Sequence, residues 1–175
     1  VPDSWLGPST LLLMQMEVML EENWALLERA HAKGTRTALN VAPAALVPDT
    51  ALGQLDFLFV NNIEGAAIAA ACGMEMGQPE NLPHQLSDRY GLTCILTLGK
   101  AGAMLHGPSG GYTIPPLNIS AIDTTGAGDL YAAGFLFVFA KNKDLETCGH
   151  YASIAAAEII SHYGARPLVK LSNLI

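Results

Sequence analysis

The N-terminal half of the chain alternates between short apolar runs and stretches with helical spacing, and this alternation constrains the fold more than any other feature. Each apolar run has the length of a strand, and a proline-punctuated loop, 42–48, follows the second run. Strands joined by crossover helices form a parallel sheet that helices cover. The sequence therefore predicts an α/β fold with a mostly parallel sheet flanked by helices. The predicted strands are 11–16, 37–41, 57–60 and 93–98, and the predicted helices are 21–33, 63–72 and 82–90.

The C-terminal part of the chain follows a different pattern. Two short apolar runs, 103–106 and 112–114, flank a glycine-rich link that is too short for a crossover. The sequence therefore predicts an antiparallel hairpin at one edge of the sheet. Two long helices, 127–140 and 145–163, complete the pattern, and the second is predicted to end at Gly164.

Composition and charge exclude several classes of partner. The chain has 175 residues, with 9 Lys and Arg against 16 Asp and Glu, a formal net charge of −7 and no cluster of basic residues. Neither nucleic acid nor an anionic membrane surface is expected as a partner of such a chain. The longest apolar run, 130–140, is too short to cross a bilayer, and the three cysteines form no metal-binding pair. We expect a cytoplasmic protein that binds small molecules.

One segment, Asp-Thr-Thr-Gly-Ala-Gly-Asp at 123–129, carries a chemical signature and leads into an apolar helical run. Small residues at a helix entrance allow a tight turn and leave the first backbone N–H groups without partners, next to the positive end of the helix dipole. Such an entrance binds anions, and Asp129 in the first turn is suited to accept a proton from a hydroxyl that attacks a bound phosphoryl group. Spacing alone leaves open an ordinary N-cap with an acidic first turn.

Residues 123–129 and the helical run that follows resemble the second signature of the ribokinase-like (PfkB) carbohydrate kinases. The resemblance implies that the amides of Gly126, Ala127 and Gly128 form an anion hole for the transferred phosphoryl group and that Asp129 is the catalytic base. It also implies ATP as the phosphoryl donor, Mg²⁺ as the ion that bridges the phosphates, and a hydroxyl of a sugar or sugar-like substrate as the acceptor.

Further segments match the same family in the same order. Asn61 and Glu64 keep a pattern that in the family helps to place the nucleotide phosphates and Mg²⁺, although Asn62 stands where many members have Glu. The same two residues also fit a helix cap, with Asn61 as N-cap and Glu64 at N3. The resemblance assigns further nucleotide contacts to Thr97, Gly99, Gly102 and Ser153. The structural alternatives are a plain turn for the first three residues and helix packing for Ser153.

The loop after the last helix resembles the segment that, in this family, encloses a monovalent cation such as K⁺ near the anion hole. Several backbone carbonyl groups with one carboxylate suit a large, weakly hydrated cation, whereas a plain helix C-cap also explains the glycine and proline of this loop. Leu168 departs from the family, which often has Ser or another small residue there. The residues assigned to the cation are Asp123, Thr125, Ile159, His162 and Gly164.

The resemblance covers nearly all of 1–175, but it corresponds only to the C-terminal portion of such a kinase. The N-terminal portion, with the sugar-binding and lid segments, has no counterpart here. Charged residues amount to 14%, against roughly 25% in an average domain, and the chain begins at Val1. We therefore expect a single nucleotide-binding and catalytic domain of a sugar kinase that is inactive alone and whose full-length form allows a homodimer. An ordinary apolar-rich enzyme with a processed end is the alternative.

Other classes are set aside or left open. A G-x-S-x-G pattern at 107–111 is typical of hydrolase nucleophiles, but Pro115 and Pro116 shortly after it prevent the helix that this motif requires. The five histidines show no metal-binding spacing, so no transition-metal site is expected. Two alternatives to a sugar kinase stay open: a catalytically inactive nucleotide-binding or regulatory relative, and a nucleoside kinase of the same family.

Overall fold

The computed structural model describes residues 1–74 and 78–173. The strands are β1 (Leu11–Gln15), β2 (Arg36–Asn40), β3 (Phe57–Asn61), β4 (Thr93–Thr97), β5 (Ala103–Gly107) and β6 (Gly110–Ile114). They form one six-stranded sheet in which the strands lie side by side in chain order. β1 pairs with β2 and β2 pairs with β3 in parallel, while β4 to β6 are antiparallel. The predicted α/β fold, mostly parallel with an antiparallel edge, is confirmed.

The helices agree with the predicted ones within one or two residues at most ends. No helix among residues 1–74 and 78–173 combines the length and the apolar character needed to span a membrane. The helices are α1 (Leu20–Ala32), α2 (Asp49–Leu52), α3 (Asn62–Ala71), α4 (Leu82–Tyr90), α5 (Ala127–Phe139) and α6 (Leu145–Ile160).

Two of the parallel strands, β2 and β3, bury nearly all of their side chains. β2 and β3 are each buried at four of five positions, and the register pairs Leu39 of β2 with Met14 of β1 and with Leu58 of β3. Continuous apolar runs of this kind are expected where helices cover both faces of a sheet.

Three features differ from the prediction by more than a shift of one residue. The short helix α2 follows Pro48, where the sequence predicts only a loop. α6 ends at Ile160, three residues before the predicted end at 163. The carbonyl oxygen of Ile160 accepts hydrogen bonds from the N–H groups of Ile122 (2.8 Å) and Asp123 (3.4 Å), and not from the next turn of a continued helix. The hairpin strands extend into the predicted link, which leaves only Pro108 and Ser109 between β5 and β6.

The chain divides into two compact units. The first unit comprises Val1–Leu96 with His106–Gly111, and the second comprises Thr97–Leu105 with the residues from Tyr112 onward. The core of the first unit includes fully buried side chains of the sheet and its helices, and these are Leu27, Leu39, Leu52, Leu58, Ile68, Leu86, Leu92, Ile95 and Leu96.

The second unit is organised around the contact between α5 and α6. Gly134 of α5 faces α6 so closely that a Cβ at this position would lie 2.8 Å from the Cβ of Ala155. A Cβ on Gly149 of α6 would likewise lie 2.6 Å from the side chain of Ile114. Small residues therefore allow α6 to pack tightly against both α5 and β6, and this packing holds the start of α5 in place.

Candidate functional site

The entrance to α5 is formed by a glycine in a left-handed conformation. Gly126 has φ 79° and ψ 2° and precedes Ala127, the first residue of the helix. Positive φ disfavours any side chain there. A Cβ would in addition lie 3.2 Å from the Ala165 Cβ and 3.4 Å from the Ile159 Cδ1. The turn into α5 therefore requires glycine at this position.

The backbone N–H groups of this entrance differ in their hydrogen bonding. The N–H of Ala127 donates to the carbonyl oxygen of Thr124 at 3.2 Å and closes a turn. No acceptor among the described residues is recorded for the N–H groups of Gly126 and Gly128. The resemblance implies an anion hole of three amides, whereas within the described part of the chain two have no recorded acceptor and the third donates to Thr124. Such N–H groups at a helix N-terminus attract anions.

Asp129 lies in the first turn of α5 and is exposed. The residue before it, Gly128, leaves open space where a Cβ would stand. An acidic side chain in a first turn interacts favourably with the helix dipole, and exposure lets a substrate reach it. A carboxylate in the first turn of a helix can take a proton from a hydroxyl bound beside it, and this role of Asp129 stays a prediction.

Asp123 connects the loop before α5 to the loop after α6. Its Oδ1 accepts hydrogen bonds from the hydroxyl (2.7 Å) and the N–H (2.9 Å) of Thr125, and its Oδ2 accepts one from the N–H of Gly164 (3.0 Å). These bonds lower the pKa of Asp123 to about 2, and the bond from the Thr125 hydroxyl has the largest effect. The carboxylate is therefore ionised at neutral pH and held by both loops.

The carbonyl oxygens assigned to a monovalent cation have no recorded donor among the described residues. This holds for Thr125, Ile159, His162 and Gly164. Hydrogen bonds bring Thr125 and Gly164 to the ionised carboxylate of Asp123. Carbonyl oxygens without donors, together with one carboxylate, are the ligands that replace the hydration shell of an ion such as K⁺. The residue types match this kind of ligand set, and cation binding here stays a prediction.

A partly buried pair in the second unit was missed by the sequence analysis. Oε1 of Glu158 lies 3.5 Å from Nε2 of His162 and also accepts a hydrogen bond from the N–H of Leu168 at 2.8 Å. The two side chains are only 14% and 18% exposed, and Glu158 Oε2 and His162 Nε2 have no hydrogen-bond partner among the described residues. The spacing of four residues between Glu158 and His162 was the sign of this pair in the sequence, because it places two side chains on one face of a helix. The hydrogen bond fixes the loop that contains Leu168 against the end of α6.

In the first unit, Asn61 and Glu64 form a capping box at the start of α3. Asn61 Oδ1 accepts hydrogen bonds from the N–H groups of Ile63 (2.9 Å) and Glu64 (3.0 Å), and Glu64 Oε2 accepts one from the N–H of Asn61 (2.8 Å). Glu64 is 7% exposed, and burial raises its pKa against the opposing effect of the Asn61 hydrogen bonds. No partner is recorded among the described residues for Glu64 Oε1, and a role of this residue at Mg²⁺ stays a prediction.

The turn after β4 depends on another glycine. The N–H of Leu98 donates to the carbonyl oxygen of Gly102 at 2.8 Å, and Gly102 has φ 90°. A Cβ on Gly102 would lie 2.1 Å from the carbonyl oxygen of Ile114, so the backbone of β6 excludes any side chain there. Gly99 is exposed, with φ 57°, and Thr97 is the last residue of β4. These residues shape the turn, and their contact with a nucleotide stays a prediction.

Ser153 is half-buried on α6. Its side chain hydrogen-bonds to Tyr131 of α5, and this bond opposes the effect of burial, which raises the pKa of Tyr131. The Tyr131 hydroxyl also donates to the carbonyl oxygen of Gly149 at 3.4 Å. Ser153 therefore takes part in the contact between α5 and α6, and its contact with a nucleotide stays a prediction.

The six-stranded sheet and its flanking helices form the ribokinase-like α/β fold. The crystal structure of a ribokinase from Thermotoga maritima matches with a TM-score of 0.84 and 24% sequence identity, over 94% of this chain and 55% of that chain. The family model described as pfkB family carbohydrate kinase matches residues 6–171. The chain belongs to the pfkB family of carbohydrate kinases.

Relatives within this fold include both sugar and nucleoside kinases. A ribokinase from Haemophilus influenzae is 27% identical over 167 residues, which are 94% of this chain and 54% of that protein. The structure of a Burkholderia thailandensis nucleoside kinase in complex with inosine matches with a TM-score of 0.80 at 20% identity, over 94% of this chain and 54% of that chain. The chain thus spans about half the length of these relatives.

Proposed function

We propose that this chain supplies the phosphoryl-transfer site of a kinase that moves the γ-phosphoryl group of ATP to a hydroxyl of a sugar or sugar-like substrate. The observation that carries the proposal is the entrance to α5. There the N–H groups of Gly126 and Gly128 have no recorded partner among the described residues, and Asp129 is exposed in the same helical turn. An anion-binding turn next to a carboxylate is what transfer to an alcohol needs.

Asp129 is proposed as the base of the reaction. As the substrate hydroxyl oxygen attacks the γ-phosphorus, its proton passes to the carboxylate of Asp129, the bond from phosphorus to the β,γ-bridging oxygen breaks, and ADP leaves. The N–H groups of Gly126 and Gly128 stabilise the negative charge on the group in transfer. The N–H of Ala127 already donates to the carbonyl oxygen of Thr124. It contributes by donating to the transferred group at the same time.

The proposal includes two metal ions with different ligands. Bound Mg²⁺ neutralises charge on the phosphates. Glu64 is suited to hold it through water, since one carboxylate oxygen caps α3 and the other has no recorded partner within residues 1–74 and 78–173, while Asn61 fixes the orientation of Glu64. K⁺ is proposed at Asp123 with the carbonyl groups of Thr125 and Gly164, where the cation would hold the two loops together.

A nucleoside is the second candidate acceptor. The nucleoside kinase whose structure contains inosine shares this fold with a TM-score of 0.80, as the ribokinase from Thermotoga maritima does with a TM-score of 0.84. Both kinds of acceptor present an alcohol to the same base, so the chemistry proposed for Asp129 serves either.

The test is a phosphotransfer assay with a panel of sugars and nucleosides, in a form of the protein that turns over. Asp129→Asn is expected to lower turnover by roughly 10² to 10⁴ while ATP binding persists, because only proton removal is lost. The matched control is Glu146→Gln, which neutralises an exposed acidic residue in the first turn of α6 and should leave turnover unchanged. Near-normal turnover of Asp129→Asn would exclude Asp129 as the base.

Phosphotransfer assays on the 175-residue chain and on a longer form together separate the kinase from a noncatalytic nucleotide-binding module. We expect the 175-residue chain alone to bind ATP with little or no transfer, because the chain spans about half the length of the relatives and orientation of the acceptor and exclusion of water need a closed site. Robust phosphorylation by these 175 residues would contradict this expectation. A longer form that binds ATP but phosphorylates no member of the panel would instead favour the noncatalytic module.

A further inference from the structure

Two histidines and an aspartate come together in the first unit, on elements far apart in sequence. His84 and Asp88 lie one turn apart on α4, and His106 lies on β5. The rings of His84 and His106 are 4.6 Å apart between centroids, and His84 Nδ1 lies 3.4 Å from Asp88 Oδ2. One ligand atom from each of the three residues lies within 4.8 Å of the others.

The residue types indicate which ions this cluster takes. Two imidazole nitrogens and one carboxylate oxygen are ligands of Zn²⁺, Ni²⁺ and Cu²⁺, whereas Mg²⁺ and Ca²⁺ prefer oxygen ligands alone. Three protein ligands also leave a coordination position for water. The cluster is therefore chemically distinct from the Mg²⁺ and K⁺ ligands proposed above.

We propose that His84, Asp88 and His106 form a binding site for a divalent transition-metal ion such as Zn²⁺. The ion links one turn of α4 to β5. The site is independent of the phosphoryl-transfer chemistry and does not rest on the proposed function.

The electrostatics of the cluster support metal binding. Burial, and then the neighbouring His84, lower the pKa of His106, while Asp88 opposes this effect. The form of imidazole that binds a metal is the neutral one, which has a nitrogen lone pair to offer. Asp88 supplies the negative charge that attracts a cation.

The geometry permits closure around an ion. Tetrahedral Zn²⁺ with ligand distances of about 2.0 to 2.2 Å holds its ligand atoms about 3.3 Å apart, so His84 and Asp88 need to move toward His106. His84 and Asp88 can do so, because their side chains are 63% and 65% exposed and lie on one helical face. The half-buried His106 provides the fixed ligand.

The first test is calorimetric titration of the reduced, untagged 175-residue chain with ZnCl₂ and NiCl₂. We expect one equivalent to bind. Removing a group that only hydrogen-bonds to a metal ligand lowers metal affinity by about 10- to 100-fold. Removing a ligand itself, as in His84→Asn or His106→Asn, should therefore weaken binding by at least about tenfold. The matched controls are His31→Asn and His150→Asn, which change exposed helical histidines elsewhere and should bind like the unchanged protein.

The second test needs no variant and therefore does not depend on how a substitution folds. In ¹H–¹⁵N spectra of the histidine side chains, Zn²⁺ should shift the ring nitrogens of His84 and His106 and leave those of His31 and His150 in place. Absence of binding, equal affinity in the His106→Asn and control variants, or shifts confined to other histidines would each overturn the proposal.

Discussion

The backbone N–H of Gly164 donates a hydrogen bond to Oδ2 of Asp123 across 3.0 Å, and this bond joins the loop after α6 to the loop before α5. The same carboxylate accepts both the N–H and the hydroxyl of Thr125. One ionised side chain thus sets the conformation of the backbone that leads into Gly126 and the phosphate-binding turn proposed here.

Asp123 should therefore make the stability of the protein depend on pH at the acid end. Its pKa is lowered from an ordinary value of 3.8 to about 2, so the ionised form favours the folded state. That contribution is complete above about pH 4 and is lost as the pH falls toward about 2. We expect the difference in free energy of unfolding between the unchanged protein and Asp123→Asn to shrink over this window, as measured by urea denaturation at several pH values. A difference that does not vary with pH would contradict the assigned hydrogen bonds.

The proposed K⁺ site predicts a stability that depends on the kind of salt. At equal ionic strength, KCl should raise the melting temperature above that in LiCl by about 3 to 6 °C, the shift expected when an ion is present at about ten times its Kd. Li⁺ is the control because it is small and strongly hydrated. Asp123→Asn should remove the difference. Equal melting temperatures of the unchanged protein in the two salts would argue against a cation there.

Gly126 and Gly128 should respond differently to alanine. Gly126→Ala combines φ 79° with a contact of 3.2 Å to Ala165, and we expect it to lower the free energy of unfolding by about 1 to 2 kcal/mol. Gly128→Ala enters open space inside α5 and should leave stability unchanged or raise it by up to about 1 kcal/mol. Thermal and urea denaturation of the two variants provide the comparison. A stable Gly126→Ala variant would show that the left-handed turn is not required.

The capping box predicts a second pair of contrasting variants. Asn61→Ala removes the acceptor for two N–H groups at the start of α3 and should lower the free energy of unfolding by about 1 kcal/mol. Asn62→Ala, one residue further along, changes an exposed position in the first turn that does not cap the helix, and should stay within about 0.5 kcal/mol of the unchanged protein. Equal losses in the two variants, measured by denaturation, would rule out the cap as the source of stability.

Local pattern was sufficient for most of the fold. The strands were predicted because a buried parallel strand is a continuous apolar run, and β3 at Phe57–Asn61 is buried at four of its five positions. The cap at Asn61 and Glu64 was also visible, since its signal is contained within four residues. The end of α6 was not, because the hydrogen bonds that stop it at Ile160 come from residues 122–123, far away in the sequence.

The candidate site divides in the same way. The motif predicts a tight turn with glycine at 126 and an acidic residue in the first helical turn at 129. The hydrogen bond from the Ala127 N–H to Thr124 depends on the exact conformation of the turn, which the residue types do not reveal. The cluster at His84 and His106 was invisible because its members meet only when β5 lies beside α4, and spacing rules for metal ligands describe neighbours along the chain.

The close contact of Gly134 with Ala155 has a consequence for motion during turnover. Where two helices meet with so little between their backbones, rotation or sliding of one against the other would force atoms into overlap. α5 and α6 should therefore behave as a rigid body, and any rearrangement that accompanies substrate entry or product release falls to the segments beyond their ends.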